Sequence, residues 1–145
     1  MKIPVVRSDP RIPMLSPVHF GDAGADLVAS ESHTIAPHER VIVGTGLAMA
    51  IPHGFAGMVL PRSGLATRSG ITVANAPGLI DSGYRGELRI GLINHSEEPF
   101  AIAPGDRIAQ LVIVAVASPE FVEVEMLDET DRGSGGFGST GVETA

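Results

Sequence analysis

The sequence contains no cysteine and no tryptophan, and Tyr84 is its only tyrosine. Without cysteine the chain has no disulfide, no thiolate zinc site and no cysteine nucleophile, and nothing indicates an oxidising compartment. It also lacks an apolar run near the ~20 residues that a membrane helix needs, and its N-terminus lacks the apolar core of a signal peptide. We therefore expect a cytoplasmic protein that does not enter a membrane.

The chain is short of positive charge, with a formal net charge of −7 and Lys2 as its only lysine. The remaining cations are arginines scattered singly along the sequence. Proteins that bind DNA or RNA concentrate basic residues, because affinity comes from displacing counterions along many phosphates, so polymeric nucleic acid is excluded as a partner. A small polyanion is a different case, because a few arginines and a divalent cation are enough to bind a triphosphate.

The apolar segments are short, rich in valine and isoleucine, and separated by glycine and proline turns, which is typical of strands. At 145 residues the chain is expected to form one domain. The pattern predicts an all-β fold, a jelly-roll-like antiparallel barrel or sandwich, with one short helix at Ser63–Ser69 that Ser63 caps. The predicted strands are Lys2–Val6, Ala25–Ala29, Val41–Val43, Ala48–Ile51, Met58–Leu60, Ile71–Val73, Leu88–Ile93, Ile108–Val116 and Phe121–Val124.

The composition changes near the C-terminus, where a run of carboxylates gives way to a glycine-rich segment. We divide the chain into a β-rich domain at 1–128 and a flexible tail at 129–145. Glycine-rich composition by itself fits a disordered, solvated tail. Arg132 and Phe137, set among the glycines and followed by Ser139 and Thr140, fit instead a phosphate-binding loop that carries a stacking ring.

One segment before the predicted helix carries side chains suited to phosphate binding. Arg62 and Ser63 place a guanidinium and a hydroxyl beside Gly64, whose missing side chain lets a ligand approach the backbone. An ordinary turn into a helix is the alternative, because serine and glycine are common at caps and turns.

Two further polar residues stand at predicted strand positions. Alternation places Gln110 on the same strand face as Ile108 and on the face opposite Ala109. An amide among apolar neighbours needs a partner, which is either a backbone group or a ligand. Asp26, at the beginning of a predicted strand, either meets a hydrated Mg²⁺ or caps a turn.

The segment from Asn75 to Glu87 is the densest in polar and aromatic groups and is predicted to be hairpin-like. A partly buried Asp81 is suited to act as a general base toward water, and Asn75 can donate to and accept from the edge of a nucleobase. The alternative is a structural carboxylate, with Asp81 tied to Arg85 or another arginine.

In identity and order, five segments closely resemble the motifs of the trimeric dUTPase (dUTP diphosphatase) family, and the match spans most of the chain. The resemblance implies a jelly-roll-like subunit, a homotrimer whose active sites are shared between subunits, and hydrolysis of dUTP to dUMP and pyrophosphate. Such a reaction limits uracil in DNA and supplies dUMP for dTMP synthesis. The five segments are Ala23–Leu27, Pro61–Ala66, Gly78–Leu88 with Asn75 just before it, Arg107–Leu111 and Arg132–Gly141.

The resemblance also implies a role for each matching residue. Asp81 would orient and deprotonate the attacking water, and Asp26 would hold Mg²⁺ through water. The tail would close over the nucleotide, with Phe137 stacked on uracil. The residues implied to bind the substrate are Arg62, Ser63, Gly64, Asn75, Gly78, Ile80, Tyr84, Gln110, Arg132, Phe137, Gly138, Ser139 and Thr140.

Two alternatives share most of these features. One is a related dCTP deaminase, or a bifunctional form that also cleaves the triphosphate, because fold alone does not fix the reaction. The other is a nucleotide-sensing module that has the same pocket but no turnover.

Overall fold

The computed structural model describes residues 1–136, so Phe137, Gly138, Ser139 and Thr140 lie outside the described part of the chain. Within that part the fold is built from short antiparallel strands and one helix, which confirms the all-β prediction. The elements are β1 (Val5–Arg7), β2 (Ala25–Val28), β3 (His33–Ile35), β4 (Arg40–Gly44), β5 (Leu47–Met49), β6 (Phe55–Leu60), α1 (Ser63–Ser69), β7 (Ile71–Val73), β8 (Gly78–Ile80), β9 (Arg89–Asn94), β10 (Phe100–Ile102) and β11 (Arg107–Ala115).

The strands form a four-stranded sheet in the order β2-β11-β6-β8 and a three-stranded sheet in the order β4-β9-β7. Two smaller ladders, β1-β5 and β10-β3, complete the fold. One hydrophobic core joins residues from all four sheets, among them the fully buried Leu27, Ile35 and Leu92 and the nearly fully buried Leu47. Burying such aliphatic side chains stabilises the fold by roughly 1.5–3 kcal/mol each.

The strand predictions fail in two ways. Strands β3, β8 and β10 were not predicted; three residues show little alternation, and only the equally short β1, β5 and β7 were recognised from their apolar composition. The strand predicted at Phe121–Val124 is wrong, because those residues are exposed and pair with no strand among residues 1–136. A strand needs a neighbouring edge to supply its hydrogen bonds, and the described chain supplies none there.

Helix α1 begins one residue earlier than the predicted cap implies, because a cap at Ser63 would start the helix at Gly64. Arg62, not Ser63, is the N-cap, with extended backbone (φ −87°, ψ 123°) and a carbonyl that accepts the N–H groups of Leu65 and Ala66. The prediction that Ser63 caps the helix is therefore wrong, and no side chain caps it. Among residues 1–136 no helix is long and apolar enough to cross a membrane.

A β-bulge in β11 overturns the alternation expected there. The pairing with β2 shifts register between Arg107 and Ala109, so Ile108 and Ala109 are both buried instead of lying on opposite faces. Beyond the bulge Gln110 is half-buried between β2 and β6, opposite Asp26 on one side and Leu60 on the other. The bulge thereby sets which side chains of β11 face the segment that follows β6.

Candidate active site

A single row across the four-stranded sheet brings three of the predicted site segments together. Asp26, Gln110 and Leu60 are register partners on β2, β11 and β6, and Leu60 leads directly into Pro61 and Arg62. Gln110 Nε2 donates to the Pro61 carbonyl oxygen at 2.8 Å. Of the two partners expected for this amide, the structure therefore places a backbone group beside it, and Gln110 fixes the turn that carries Arg62.

The carboxylate of Asp26 is shared by two arginines. Arg62 Nε lies 2.7 Å from Asp26 Oδ1, and Arg107 Nη1 lies 3.6 Å from Asp26 Oδ2. The Asp26 side chain is 19% exposed, so this contact is shielded from much of the solvent. Two guanidinium groups around one carboxylate leave a net positive charge with spare N–H donors, which suits phosphate oxygens. Asp26 is thus an ion-pair partner and not a turn cap.

The sequence analysis did not assign a role to two residues of this cluster, Arg107 and Gly24. Arg107 contacts Asp26, and Gly24 leaves the space in which the Gln110 side chain lies. A Cβ at Gly24 would stand 3.0 Å from Gln110 Oε1 and 3.5 Å from the Leu111 carbonyl oxygen. Both residues lie inside segments that the resemblance had singled out, so their position beside matched residues was the available signal.

The first turn of α1 offers backbone and side-chain donors next to Arg62. In the described residues the N–H groups of Ser63 and Gly64 donate no hydrogen bond, since the first helical bonds start at Leu65. A Cβ at Gly64 would come within 2.7 Å of Arg68 Nη2, so glycine keeps this surface open beside a second guanidinium. Ser63 and Gly64 therefore lie where the sequence placed them, adjacent to the Asp26 cluster.

The segment from Asn75 to Glu87 is not a hairpin, which corrects the sequence prediction. Strand β8 pairs with β6, whereas β7 and β4 pair with β9, so the segment crosses from the three-stranded to the four-stranded sheet and back. At the crossing Gly78 packs on Val59, where a Cβ would lie 3.3 Å from the valine Cβ and 3.6 Å from Asn75 Nδ2. The close approach of two strands explains why glycine stands at position 78.

Five predicted substrate and catalytic residues line two adjoining cavities on this crossing. One cavity of about 150 Å³ is lined by Asn75, Gly78 and Ile80, and one of about 160 Å³ by Ile80, Asp81 and Tyr84. Both cavities also share Leu79 and Arg89 as lining residues. We refer to this pair as the 75–84 groove.

Asp81 is exposed in the single chain, which corrects the expectation of partial burial. The structural alternative is not observed either, because Arg85 donates to the carbonyl oxygens of Ser82 and Tyr84, at 2.6 and 2.7 Å, and not to Asp81. No ion pair or side-chain hydrogen bond of Asp81 occurs within residues 1–136. Its carboxylate is therefore free to accept a proton or to bind water.

One copy of the chain does not bring Asp81 to the Asp26 cluster. Asp81 follows Ile80, which pairs with Gly57, whereas Arg62 lies five residues beyond Gly57 along the same extended run. In the antiparallel register Asp81 comes opposite Ala56, six residues before Arg62, so at about 3.3 Å per residue the two backbone positions are roughly 20 Å apart along this strand. We refer to the Asp26 cluster and the 75–84 groove as two half-sites, which lie on the β11 side and the β8 side of β6. Within the groove Gly78 pairs with Val59 near the end of β6, whereas Asp81 lies toward its beginning.

Of the predicted tail residues, Arg132 lies within the described part of the chain. Arg132 is exposed, and its Nε donates to the Gly135 carbonyl oxygen at 3.0 Å in a local turn. The other predicted tail residues lie outside the described part of the chain. Within residues 1–136 no group of three or more His, Asp or Glu side chains is arranged to hold a metal ion, so Asp26 stands alone as the predicted metal-binding residue.

Glu31 has a perturbed pKa and lies 4.0 Å, at its Oε1, from Nη2 of the groove-lining Arg89. Its Oε1 accepts the Gly44 N–H at 2.8 Å, and His33 Nε2 lies 3.2 Å from the same oxygen without hydrogen-bond geometry. The Gly44 hydrogen bond, followed by the closeness of His33, lowers the pKa of Glu31 below its ordinary value of 4.5.

Comparison with known proteins gives consistent matches along the chain. The dUTPase family pattern matches residues 11–141. The deoxyuridine 5'-triphosphate nucleotidohydrolase of Nocardia farcinica is 54% identical over 140 residues, 96% of this chain and 85% of the relative. The enzyme of the same name from Thermobifida fusca is 51% identical over 142 residues, 97% of this chain and 79% of the relative.

Solved structures match the fold over nearly the whole chain. A mutant of the Staphylococcus bacteriophage 80alpha dUTPase with dUpNHpp superposes with a TM-score of 0.91 at 30% identity, covering 97% of this chain and 99% of that one. A mutant dUTPase from phage phi11 of S. aureus, whose structure describes the coordination of a structural Mg(II) ion, superposes with a TM-score of 0.82 at 26% identity. The match covers 89% of this chain and 100% of that one.

Proposed function

This chain belongs to the dUTPase family, and from that premise we propose that it hydrolyses dUTP to dUMP and pyrophosphate by Asp81-activated attack of water on the α-phosphate. The observation that carries the proposal is the pairing of Arg62 and Arg107 on one carboxylate, Asp26, beside Gln110. This cluster presents positive charge and amide donors to a triphosphate. The 75–84 groove supplies the space for a nucleoside.

Asp81 is the proposed general base. As Asp81 takes a proton from a bound water, the water oxygen forms a bond to the α-phosphorus. The bond from the α-phosphorus to the bridging oxygen breaks, and pyrophosphate leaves with that oxygen. Exposure and the lack of an ion pair within residues 1–136 support this role, since a carboxylate held by an arginine is a weaker base.

The phosphate chain is bound by groups of the other half-site. Arg62 and Ser63 donate side-chain hydrogen bonds, and Gly64 offers an open backbone surface. Gln110 has one amide hydrogen bonded to Pro61, which leaves its second N–H for a phosphate oxygen. Charge-assisted hydrogen bonds of this kind also stabilise the negative charge that develops in the transition state.

The residues present fit a Mg²⁺ ion held by Asp26 through water. Arg62 Nε and Arg107 Nη1 each approach one oxygen of the carboxylate, which has about four acceptor positions. Asp26 thus keeps room for ordered water while its charge is already compensated, which disfavours direct coordination. When bound, Mg²⁺ supplies positive charge that neutralises the triphosphate oxygens. The Mg(II) ion of the phage phi11 relative supports the choice of metal.

The 75–84 groove is proposed to select both base and sugar. Asn75 can pair with the edge of uracil, and cytosine exchanges donor for acceptor at two ring positions, so it leaves unpaired groups. Unpaired groups of this kind can lower kcat/KM for the cytosine nucleotide, relative to the uracil nucleotide, by a factor of roughly 10⁴–10⁵. Gly78 and Ile80 shape the wall of the groove, and Tyr84 packs against deoxyribose where a 2′-hydroxyl would need space.

The C-terminal residues are proposed to close over the bound nucleotide. In this proposal 129–145 form the tail, in which Arg132, Ser139 and Thr140 bind the γ-phosphate. Phe137 stacks on uracil, and Gly138 lets the backbone approach the ligand. A segment that orders only on the triphosphate excludes water during reaction and releases the product afterwards.

We infer a homotrimer in which each active site combines half-sites from different copies. The backbone separation of roughly 20 Å between Asp81 and Arg62 along β6 supports this, because the two residues are far apart within one copy. The segment after β11 also exposes large apolar side chains that need cover, with Phe121 92%, Met126 85% and Leu127 79% exposed. A neighbouring copy of the same chain would supply both the missing half-site and that cover.

Product analysis tests the proposed reaction. The purified protein is supplied with Mg²⁺ and each deoxynucleoside triphosphate in turn, and pyrophosphate and ammonia are measured. We expect pyrophosphate from dUTP alone and no ammonia from dCTP. Ammonia from dCTP would support a deaminase, and tight dUTP binding without dUMP would support a sensing module; either result contradicts the proposal. We also expect the product dUMP to serve dTMP synthesis in the cytoplasm.

A substitution isolates the catalytic residue from the binding residues. Asp81→Asn keeps the size of the side chain and removes the base, so we expect turnover to fall by about 10²–10⁴ with dUTP binding largely kept. Glu97→Gln is the matched control, because Glu97 is an exposed carboxylate on the turn after β9. Unchanged turnover in Asp81→Asn would reject the assigned role.

A further inference from the structure

Tyr84 is held at both of its ends although its side chain is largely accessible. Its backbone N–H donates to the Asp81 carbonyl oxygen at 3.1 Å, and its hydroxyl donates to the Glu87 carbonyl oxygen at 2.9 Å. The residue remains 44% exposed and lines the 75–84 groove. An exposed tyrosine without these bonds would rotate freely, so the two bonds fix one orientation of the ring.

Gly86 lies directly against the ring of Tyr84. A Cβ at position 86 would collide with the Tyr84 hydroxyl and lie 2.6 Å from Cζ and 3.0 Å from Cε2. Gly86 is not among the glycines with positive φ, so its backbone does not require glycine. The space that the tyrosine ring fills is therefore the reason for glycine here.

Glu87 ties this loop to the buried interior. Its Oε1 accepts the Gly46 N–H at 2.7 Å, and the next residue, Leu88, donates its N–H to the Leu47 carbonyl oxygen at 2.7 Å. The fully buried Thr45 hydroxyl donates to the Leu88 carbonyl oxygen at 2.7 Å. The carbonyl group that holds the Tyr84 hydroxyl is thus attached to a rigid turn between β4 and β5.

We propose that Gly86 and Glu87 are positioning residues that set the discrimination between deoxyribose and ribose nucleotides, by fixing the ring of Tyr84. The inference rests on the proposed function, in which Tyr84 packs against the deoxyribose. A ring that can move aside makes room for a 2′-hydroxyl, whereas a ring held at its backbone and its hydroxyl cannot. Gly86 provides the space for the ring, and the Glu87 carboxylate holds the acceptor of its hydroxyl in place.

The first test compares two glycine substitutions in the same loop. Gly86→Ala displaces the ring, and Gly83→Ala is the matched control, because a Cβ at Gly83 meets nothing within 4 Å and neither glycine has positive φ. The readout is the ratio of kcat/KM for dUTP to that for UTP. We expect Gly86→Ala to lower this ratio by about tenfold or more, and Gly83→Ala to leave it unchanged.

The second test separates the carboxylate of Glu87 from general loosening of the turn. Glu87→Ala removes the acceptor for Gly46 and should lower the dUTP-to-UTP ratio, whereas Glu87→Gln keeps a carbonyl acceptor and should restore it. Glu39→Ala is the control, because Glu39 Oε2 likewise accepts a backbone N–H, that of Ala36 at 2.9 Å, and Glu39 does not line the 75–84 groove. Thermal unfolding of every variant reports whether it is folded.

The outcomes distinguish this inference from the proposed function. If Tyr84→Ala leaves the dUTP-to-UTP ratio unchanged, the assigned sugar contact itself is wrong. If Tyr84→Ala lowers the ratio but Gly86→Ala and Glu87→Ala do not, the sugar contact stands and the positioning role is overturned. Equal losses in Gly83→Ala and Glu39→Ala would also overturn it, because they would show a nonspecific effect.

Discussion

Mixing two inactive variants, Asp81→Asn and Arg62→Ala, should restore part of the activity that each variant lacks. Asp81 follows Ile80, which pairs with Gly57 on β6, and the backbone positions of Asp81 and Arg62 are roughly 20 Å apart along the same run. In the proposed assembly each functional site takes Asp81 from one copy and Arg62 from another.

The expected magnitude follows from random assembly. In an equal mixture, a given site has probability one half of receiving an intact Asp81 and, independently, one half of receiving an intact Arg62. About one quarter of the sites should therefore be fully functional after subunits have exchanged. The result does not depend on how inactive each single variant is, provided that both are far below the unaltered protein.

The assay measures pyrophosphate release from dUTP after the two variants are denatured together and refolded. Each variant treated alone gives the background. A second pair, Arg62→Ala with Gln110→Ala, is the control, because both residues belong to the same half-site and no arrangement of copies restores them together. Activity of the first mixture at background level, with refolded oligomers present, would refute the assembly of sites from different copies.

Three further outcomes are expected. Deleting residues from Arg132 onward should lower kcat/KM strongly with little change in the thermal midpoint, and full activity after truncation would contradict a closing tail. Asn94→Ala should lower the free energy of unfolding by about 3 kcal/mol in urea titrations, because the fully buried amide donates to Ile35 and Glu98 carbonyls, whereas kcat should persist. The lowered pKa of Glu31 stabilises the folded state at pH values above 4.5, the ordinary pKa, and this stability is lost as pH falls through the pKa of the folded state. Glu31→Gln should therefore weaken the dependence of the urea midpoint on acid pH. An unchanged dependence would contradict the lowered pKa.

Much of the fold can be predicted from short apolar segments. Strands such as β6 and β9 either alternate buried and more exposed residues or are mostly apolar, and glycine and proline turns separate them from their neighbours. Of the three-residue strands, β1, β5 and β7 were predicted from their apolar composition, whereas β3, β8 and β10 were not. Phe121–Val124 has the composition of a strand and no partner within the described chain. Composition indicates which segments can pair but does not indicate which edge is available to them.

The site was predictable in its residues and not in its arrangement. The sequence singled out Arg62, Asp81 and Gln110, but the distance between Asp81 and Arg62 depends on the register of β8 against β6. The bulge in β11, which turns Gln110 toward Pro61, is likewise a matter of pairing. Such features arise from hydrogen bonds between distant segments, so no local pattern reports them.

The most direct test of the account follows the oxygen of the attacking water. The protein is incubated with dUTP and Mg²⁺ in water enriched in ¹⁸O, and both products are examined by mass spectrometry. Attack at the α-phosphorus, assisted by Asp81, predicts one ¹⁸O in dUMP and none in pyrophosphate. Label in pyrophosphate instead, or dUTP left intact, would contradict the account.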